Sequence, residues 1–190
     1  MATVVGICNS ALIKIGATTI TSLTEGKKNA NKCNEQYAKI RDQLLRDHTW
    51  NFAATRVKLA QSATTPVFEF EYAYTLPTDH IRLVSAHNNI DGTGQIVYKL
   101  EGGELLTDES DVYIRYVKRE VDPNIMDPWF QECLAWQLGA DIAIAITDIT
   151  SKREIALDGL KTALVSAKSV DAIEDYPEPE PVSEWIGERI

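Results

Sequence analysis

The sequence of 190 residues predicts an α+β fold: a four-helix bundle, an antiparallel β-sheet inserted into it, and an extended C-terminal arm. Apolar residues recur at helical spacing near both ends of the chain, whereas apolar and polar residues alternate in the middle. Three alternating prolines near the end then disfavour both helix and sheet. We therefore expect the bundle to comprise residues 1–50 and 122–175, the sheet region 51–121, and the arm 176–190.

Two helices are predicted before the middle region. The first spans about residues 3–16, and Gly16 is a suitable stop because glycine tolerates the left-handed conformation. Its apolar side chains lie three or four positions apart: Val4, Ile7, Cys8, Ala11, Leu12 and Ile15. The second helix spans about residues 25–48, and its apolar stripe comprises Ala30, Cys33, Tyr37, Ile40 and Leu44.

A bulky corner follows the second helix, formed by Trp50, Asn51 and Phe52. Most chain reversals are polar, so two large aromatic side chains here indicate that the helix end is held against a core. The corner also joins the helical part to the strand-rich part. We expect it to set the angle between them.

The middle of the chain predicts strands. Apolar and polar residues alternate in Phe68–Tyr72 and in parts of Val112–Val117, which is the pattern of half-buried strands. Turn-forming residues separate such segments at 76–79, 91–94 and 101–104. We expect one antiparallel sheet of four or five strands.

Two further helices are predicted after the sheet. Asp127 is a candidate N-cap with Pro128 at the first helical position. The helix from there to about residue 147 is apolar nearly all round, so it should be the most buried one. The fourth helix spans about residues 151–173, and its inward stripe comprises Ala156, Leu160, Ala163, Leu164 and Ala167.

The charge balance argues against binding to phosphate or to anionic lipid surfaces. The chain has 28 acidic and 19 basic residues and a formal charge of −9. Such a surface repels DNA, which suits a channel wall, although many soluble proteins are equally acidic. No secretory signal is apparent, and the apolar stretch at 134–149 is too polar to span a bilayer. We expect a soluble protein.

Motifs that carry chemistry are missing from the sequence. The three cysteines, Cys8, Cys33 and Cys133, form no CxxC pair, so neither a zinc site nor a disulfide framework is indicated. The three histidines show no metal-binding spacing, and Gly26-Lys27 lacks the earlier glycine of a phosphate loop. Carboxylate pairs in strands and turns are typical of a solvated face. We therefore predict no catalytic residue, no metal, no cofactor and no enzymatic activity.

The predicted arm carries the strongest candidates for binding another chain. Its prolines favour an extended, polyproline-like segment that holds Trp185 and Ile186 away from the body. The alternative is that Trp185 folds back onto its own domain. The candidate interaction residues are Tyr176, Pro177, Pro179, Pro181, Trp185, Ile186 and Arg189.

Two segments of the sequence resemble the phage tail tubular protein A-like adaptors, which lie at the head-to-tail junction of tailed phages. One is the helix-to-corner segment Leu45–Ala53, reading LRDHTWNFA, and the other is Tyr74–Arg82, reading YTLPTDHIR. Asn9–Gly16 and the ending Glu184-Trp185-Ile186 with Arg189 are also similar to that family. The resemblance extends from Asn9 to about Ile173.

This resemblance implies a structural virion protein made in the host cytoplasm. Members of that family form a ring, usually twelve-fold, beneath the portal, and DNA is ejected through it. The implied partners are the portal protein, neighbouring adaptor subunits and a downstream tail or nozzle protein. DNA would pass through the channel without sequence-specific binding, and no membrane is involved. The alternatives are another neck or tail ring component, such as a stopper or tail terminator, or a soluble ligand-binding α+β domain.

Overall fold

The structure is a computed structural model that describes residues 1–174. The described chain is α+β, with four helices and two three-stranded antiparallel sheets. The helices are α1 (Val4–Lys14), α2 (Lys28–Asp47), α3 (Pro128–Thr147) and α4 (Thr150–Glu174). The strands are β1 (Ala54–Lys58), β2 (Tyr72–Thr75), β3 (His80–His87), β4 (Lys99–Glu101), β5 (Glu104–Thr107) and β6 (Tyr113–Lys118).

The expectation of a four-helix bundle is wrong. Helices α1, α2 and α4 each pack against α3, whereas α1 and α2 share few contacts and α4 packs mainly on α3. The apolar surface of α3 extends around most of its circumference, so each of the other helices can bury apolar side chains against α3. At Gly139, an added Cβ would lie 3.2 Å from the backbone oxygen of Ala11, which shows how closely α1 approaches α3.

The predicted start of α3 is confirmed. The carboxylate of Asp127 accepts hydrogen bonds from the backbone N–H of Trp129 at 2.7 Å and of Phe130 at 3.3 Å. Pro128 occupies the first turn, where its missing N–H costs nothing. This capping fixes the direction in which the most buried helix leaves the sheet region.

The expectation of a single inserted sheet is also wrong. The strands form one sheet in the order β1-β6-β3 and a second in the order β2-β5-β4. The alternating segment Phe68–Tyr72 is mostly loop, because Glu69 has a φ of 74° and β2 begins only at Tyr72. Alternation along a strand specifies which side chains share a face, but it does not specify the neighbouring strand.

Strand β6 takes part in two cores. Its Val117 joins the core formed with the helices, whereas Ile114 and Tyr116 point to the other face and join the core with the second sheet. The first sheet therefore lies between the helices and the second sheet. Arg115 shares the face of Val117, because side chains two positions apart in a strand point the same way. None of the helices within residues 1–174 combines the length and apolarity that crossing a membrane requires.

Candidate assembly site

The corner residues lie against the helical core. Trp50 is 1% exposed, and its indole Nε1 donates a hydrogen bond to the backbone oxygen of Leu44 at 2.8 Å. Its ring meets that of Phe130 edge-on with centroids 5.2 Å apart, and Phe52 meets the same ring at 5.0 Å. Both aromatic side chains thus attach the end of α2 to α3.

Asp171 connects the corner to the last turn of α4. Its side chain is buried, with Oδ2 2.9 Å from His48 Nε2 and Oδ1 accepting a hydrogen bond from the backbone N–H of Asn51 at 3.0 Å. The side-chain amide of Asn51 donates in turn to the backbone oxygen of Asp171 at 2.8 Å. Three hydrogen bonds therefore hold this part of α4 at one position on the corner.

Sequence reasoning missed Asp171, although the sequence contains a signal for it. Leu160, Ala163 and Ala167 form the buried stripe of α4, and Asp171 follows at the next position on the same face. A carboxylate in a buried stripe needs hydrogen-bond donors. The interruption of the stripe therefore indicates a polar contact, but it does not reveal that His48 and Asn51 supply it.

The candidate arm residues lie outside the part of the chain that the structure describes. These residues are Tyr176, Pro177, Pro179, Pro181, Trp185, Ile186 and Arg189. What the structure does describe is the attachment point, because Asp171 lies four positions before residue 175. The last described turn of α4 thus begins at the buried, hydrogen-bonded Asp171, whereas residues 172–174 are exposed.

The two sequence segments on which the adaptor resemblance rests contact each other. The guanidinium of Arg46 donates to the backbone oxygen of Ile81 at 2.6 Å, and Arg82 donates to the hydroxyl of Thr49. Both contacts tie the end of α2 to β3. The segments therefore act as one structural unit that joins helices to sheet.

Several large apolar side chains of α4 face solvent. Ile155, Val165 and Ile173 are 56%, 73% and 79% exposed. The helix buries a different face against α3 through its alanine-rich stripe. These three residues stand ten and eight positions apart, so the outer surface of α4 carries separate exposed apolar side chains among charged ones.

Burial shifts the pKa values of several side chains. Burial raises the pKa of the Cys133 thiol to about 11, so this sulfur is protonated at neutral pH. Burial, together with the hydrogen bond to Asp79, raises the pKa of Tyr116 to about 12. Burial and the nearby Arg46 charge lower the pKa of His80. Within residues 1–174, no three side chains of His, Cys, Asp or Glu are grouped to hold a metal ion.

No protein-family model and no curated protein matches the chain.

Proposed function

We propose that the protein is a head-to-tail adaptor of a tailed phage, a structural virion protein that forms a ring under the portal through which DNA passes. The observation that carries this proposal is the attachment of α4 to the corner through Asp171. The attachment lies within the segment that resembles the adaptor family and directly precedes the predicted arm. It holds the end of α4, from which the predicted arm continues, against the corner.

Holding the end of α4 in place matters because an arm binds most effectively when it starts at a constant distance from its target. Residues 175–190 would reach about 50 Å if fully extended as polyproline, at roughly 3.1 Å per residue. Tethering converts binding of the arm into a nearly intramolecular event with a high effective concentration. The anchors Trp185 and Ile186 would then contact the portal or an adjacent subunit.

The exposed apolar residues of α4 support a lateral contact between subunits. A ring requires a head-to-tail interface in which two different surfaces meet and the rotation closes. The outer face of α4, with Ile155 and Val165, supplies one such surface. Repetition around the ring multiplies modest contacts.

Deletion of residues 176–190 tests the proposal. The variant should keep the thermal unfolding midpoint of the full chain, because the deletion leaves intact both cores as they are formed within residues 1–174. It should fail to join the connector, and particles should lack a functional neck. Trp185→Ala with Ile186→Ala should reproduce this loss, whereas Val182→Ala, a smaller apolar change in the same segment, should not.

A density map of the neck in purified virions would show which ring of the neck contains the protein. An adaptor contacts the portal directly, whereas a stopper or tail terminator lies further down. Normal infectious particles from the deletion variant, or absence of the protein from virions, would refute the proposal.

A further inference from the structure

A cationic surface lies on the first sheet, on the face that carries Val117 and towards the ends of β1 and β6 where Lys58 pairs with Tyr113. The strand register places Arg56 of β1 directly opposite Arg115 of β6, and Lys58 two positions further on opposite Tyr113. Like charges directly opposite each other in a sheet are destabilising. His87 of β3 extends the same row through its pairing with Tyr113.

The two arginines have no acidic partner within residues 1–174. Lys58 forms an ion pair with Asp111, but no carboxylate of the described residues lies within 4.0 Å of Arg56 or Arg115. Two opposed guanidinium groups without an ion-pair partner among the described residues are unexpected in a chain of formal charge −9. The repulsion is relieved when an anionic group binds between them.

These side chains line an open cleft. Its volume is about 710 Å³, and its wall carries three cationic side chains, Arg56, Lys58 and Arg115, against one carboxylate, Asp91. Ile90, also in the lining, is 83% exposed and adds an apolar position beside the charges. The cleft therefore offers complementary sites for carboxylates and for a large apolar side chain.

The segment 175–190 has the matching chemistry. It contains five carboxylates (Asp175, Glu178, Glu180, Glu184 and Glu188) and one guanidinium (Arg189), a net charge of −4. Trp185 and Ile186 stand among these carboxylates. A negatively charged segment with an apolar anchor fits a cationic cleft with an apolar position at its side.

We infer that the cleft around Arg56 and Arg115 binds the segment 175–190 of a neighbouring copy of this chain. The inference rests on the proposed function, because a closed ring needs two different surfaces that meet head to tail. The acidic segment and the cationic cleft are such a pair. Binding within one chain would leave neither of them available to a neighbour.

Zero-length carbodiimide cross-linking of the full chain tests this inference, because the reagent joins a carboxylate to the amine of Lys58, which is 53% exposed. A mixture of ¹⁴N- and ¹⁵N-labelled protein should yield cross-linked peptides of mixed isotope composition between Lys58 and the segment 175–190. Their yield should fall at least tenfold in Arg56→Glu with Arg115→Glu, and strongly at 0.5 M salt, since screening weakens exposed charge pairs.

The matched control has the same charge change elsewhere: Lys39→Glu with Lys161→Glu, both at exposed positions of helices, should cross-link like the wild type. Cross-links of single isotope composition would show docking within one chain and overturn the inference. An undiminished yield in the arginine variant, or no cross-link, would also overturn it. The inference would also be overturned if the wild type gave no cross-links but bound a short DNA duplex, and the arginine variant lost that binding. If cross-linking fails but the protein lies next to the portal in virions, the assignment of the cleft is wrong and the adaptor role stands. If cross-linking succeeds but the protein is absent from virions, the adaptor role is wrong.

Discussion

Asp171→Ala tests the reasoning about the attachment of α4. The substitution removes the acceptors for His48 Nε2 and for the backbone N–H of Asn51, which lie at 2.9 and 3.0 Å. Hydrogen bonds to charged groups contribute about 1.5–3 kcal/mol each. His48 is partly exposed and can be resolvated, so we expect a total loss of about 2–4 kcal/mol in the free energy of unfolding.

Urea denaturation followed by tryptophan fluorescence measures this loss. With a slope of about 2 kcal/mol/M, the midpoint should fall by about 1–2 M, and the slope itself should not change. A double-mutant cycle with His48→Ala should give a coupling energy of about 1 kcal/mol, because the two side chains share one contact.

The matched control is Asp158→Ala, an exposed acidic residue of the same helix whose side chain makes no hydrogen bond within residues 1–174. It should change stability by less than about 0.5 kcal/mol. If Asp171→Ala were as mild as this control, the attachment would not stabilise the fold and the origin of the arm would not be fixed in this way.

Three further predictions follow from packing and charge. Trp50→Ala should cost about 3–5 kcal/mol by circular dichroism in urea, and Trp50→Phe clearly less, since the phenyl ring refills part of the space; equal losses would contradict the packing account. Burial lowers the pKa of His80 from 6.5, so the unfolded state binds more protons and the free energy of unfolding falls as the pH drops below 6.5. Urea denaturation between pH 7.5 and 5.5 should show a flatter pH dependence for His80→Gln than for the wild type. An unchanged slope would assign the dependence to other groups. Gly159→Ala should lower the melting temperature, because the added Cβ would lie 2.8 Å from ring atoms of Trp136. A higher melting temperature would mean that the greater helix propensity of alanine, worth about 1 kcal/mol, outweighs this overlap.

The helices were the most predictable part of the fold. All four appear within a few residues of their expected bounds, because amphipathic spacing and capping are local properties. Their arrangement was not predictable in the same way. The pattern showed that α3 is apolar on many sides, yet a central helix with three separate neighbours and a bundle of four share that pattern.

The strands were predictable mainly as a region. The alternation in Val112–Val117 became β6, but the similar alternation in Phe68–Tyr72 did not form a strand as predicted. A positive φ at Glu69 interrupts it. Short alternating segments satisfy several registers about equally well, so the partner strand decides which of them forms.

By itself, the sequence determined the α+β class, the capped start of α3 and the burial of the Trp50 corner, since these follow from residue type and spacing along one segment. Only the tertiary structure brought Asp171 to Asn51 across 120 positions and set Arg56 opposite Arg115. A net charge of −9 describes the whole chain, whereas a binding surface depends on which side chains folding brings together. Long-range pairing is what concentrates positive charge in one cleft of this acidic protein.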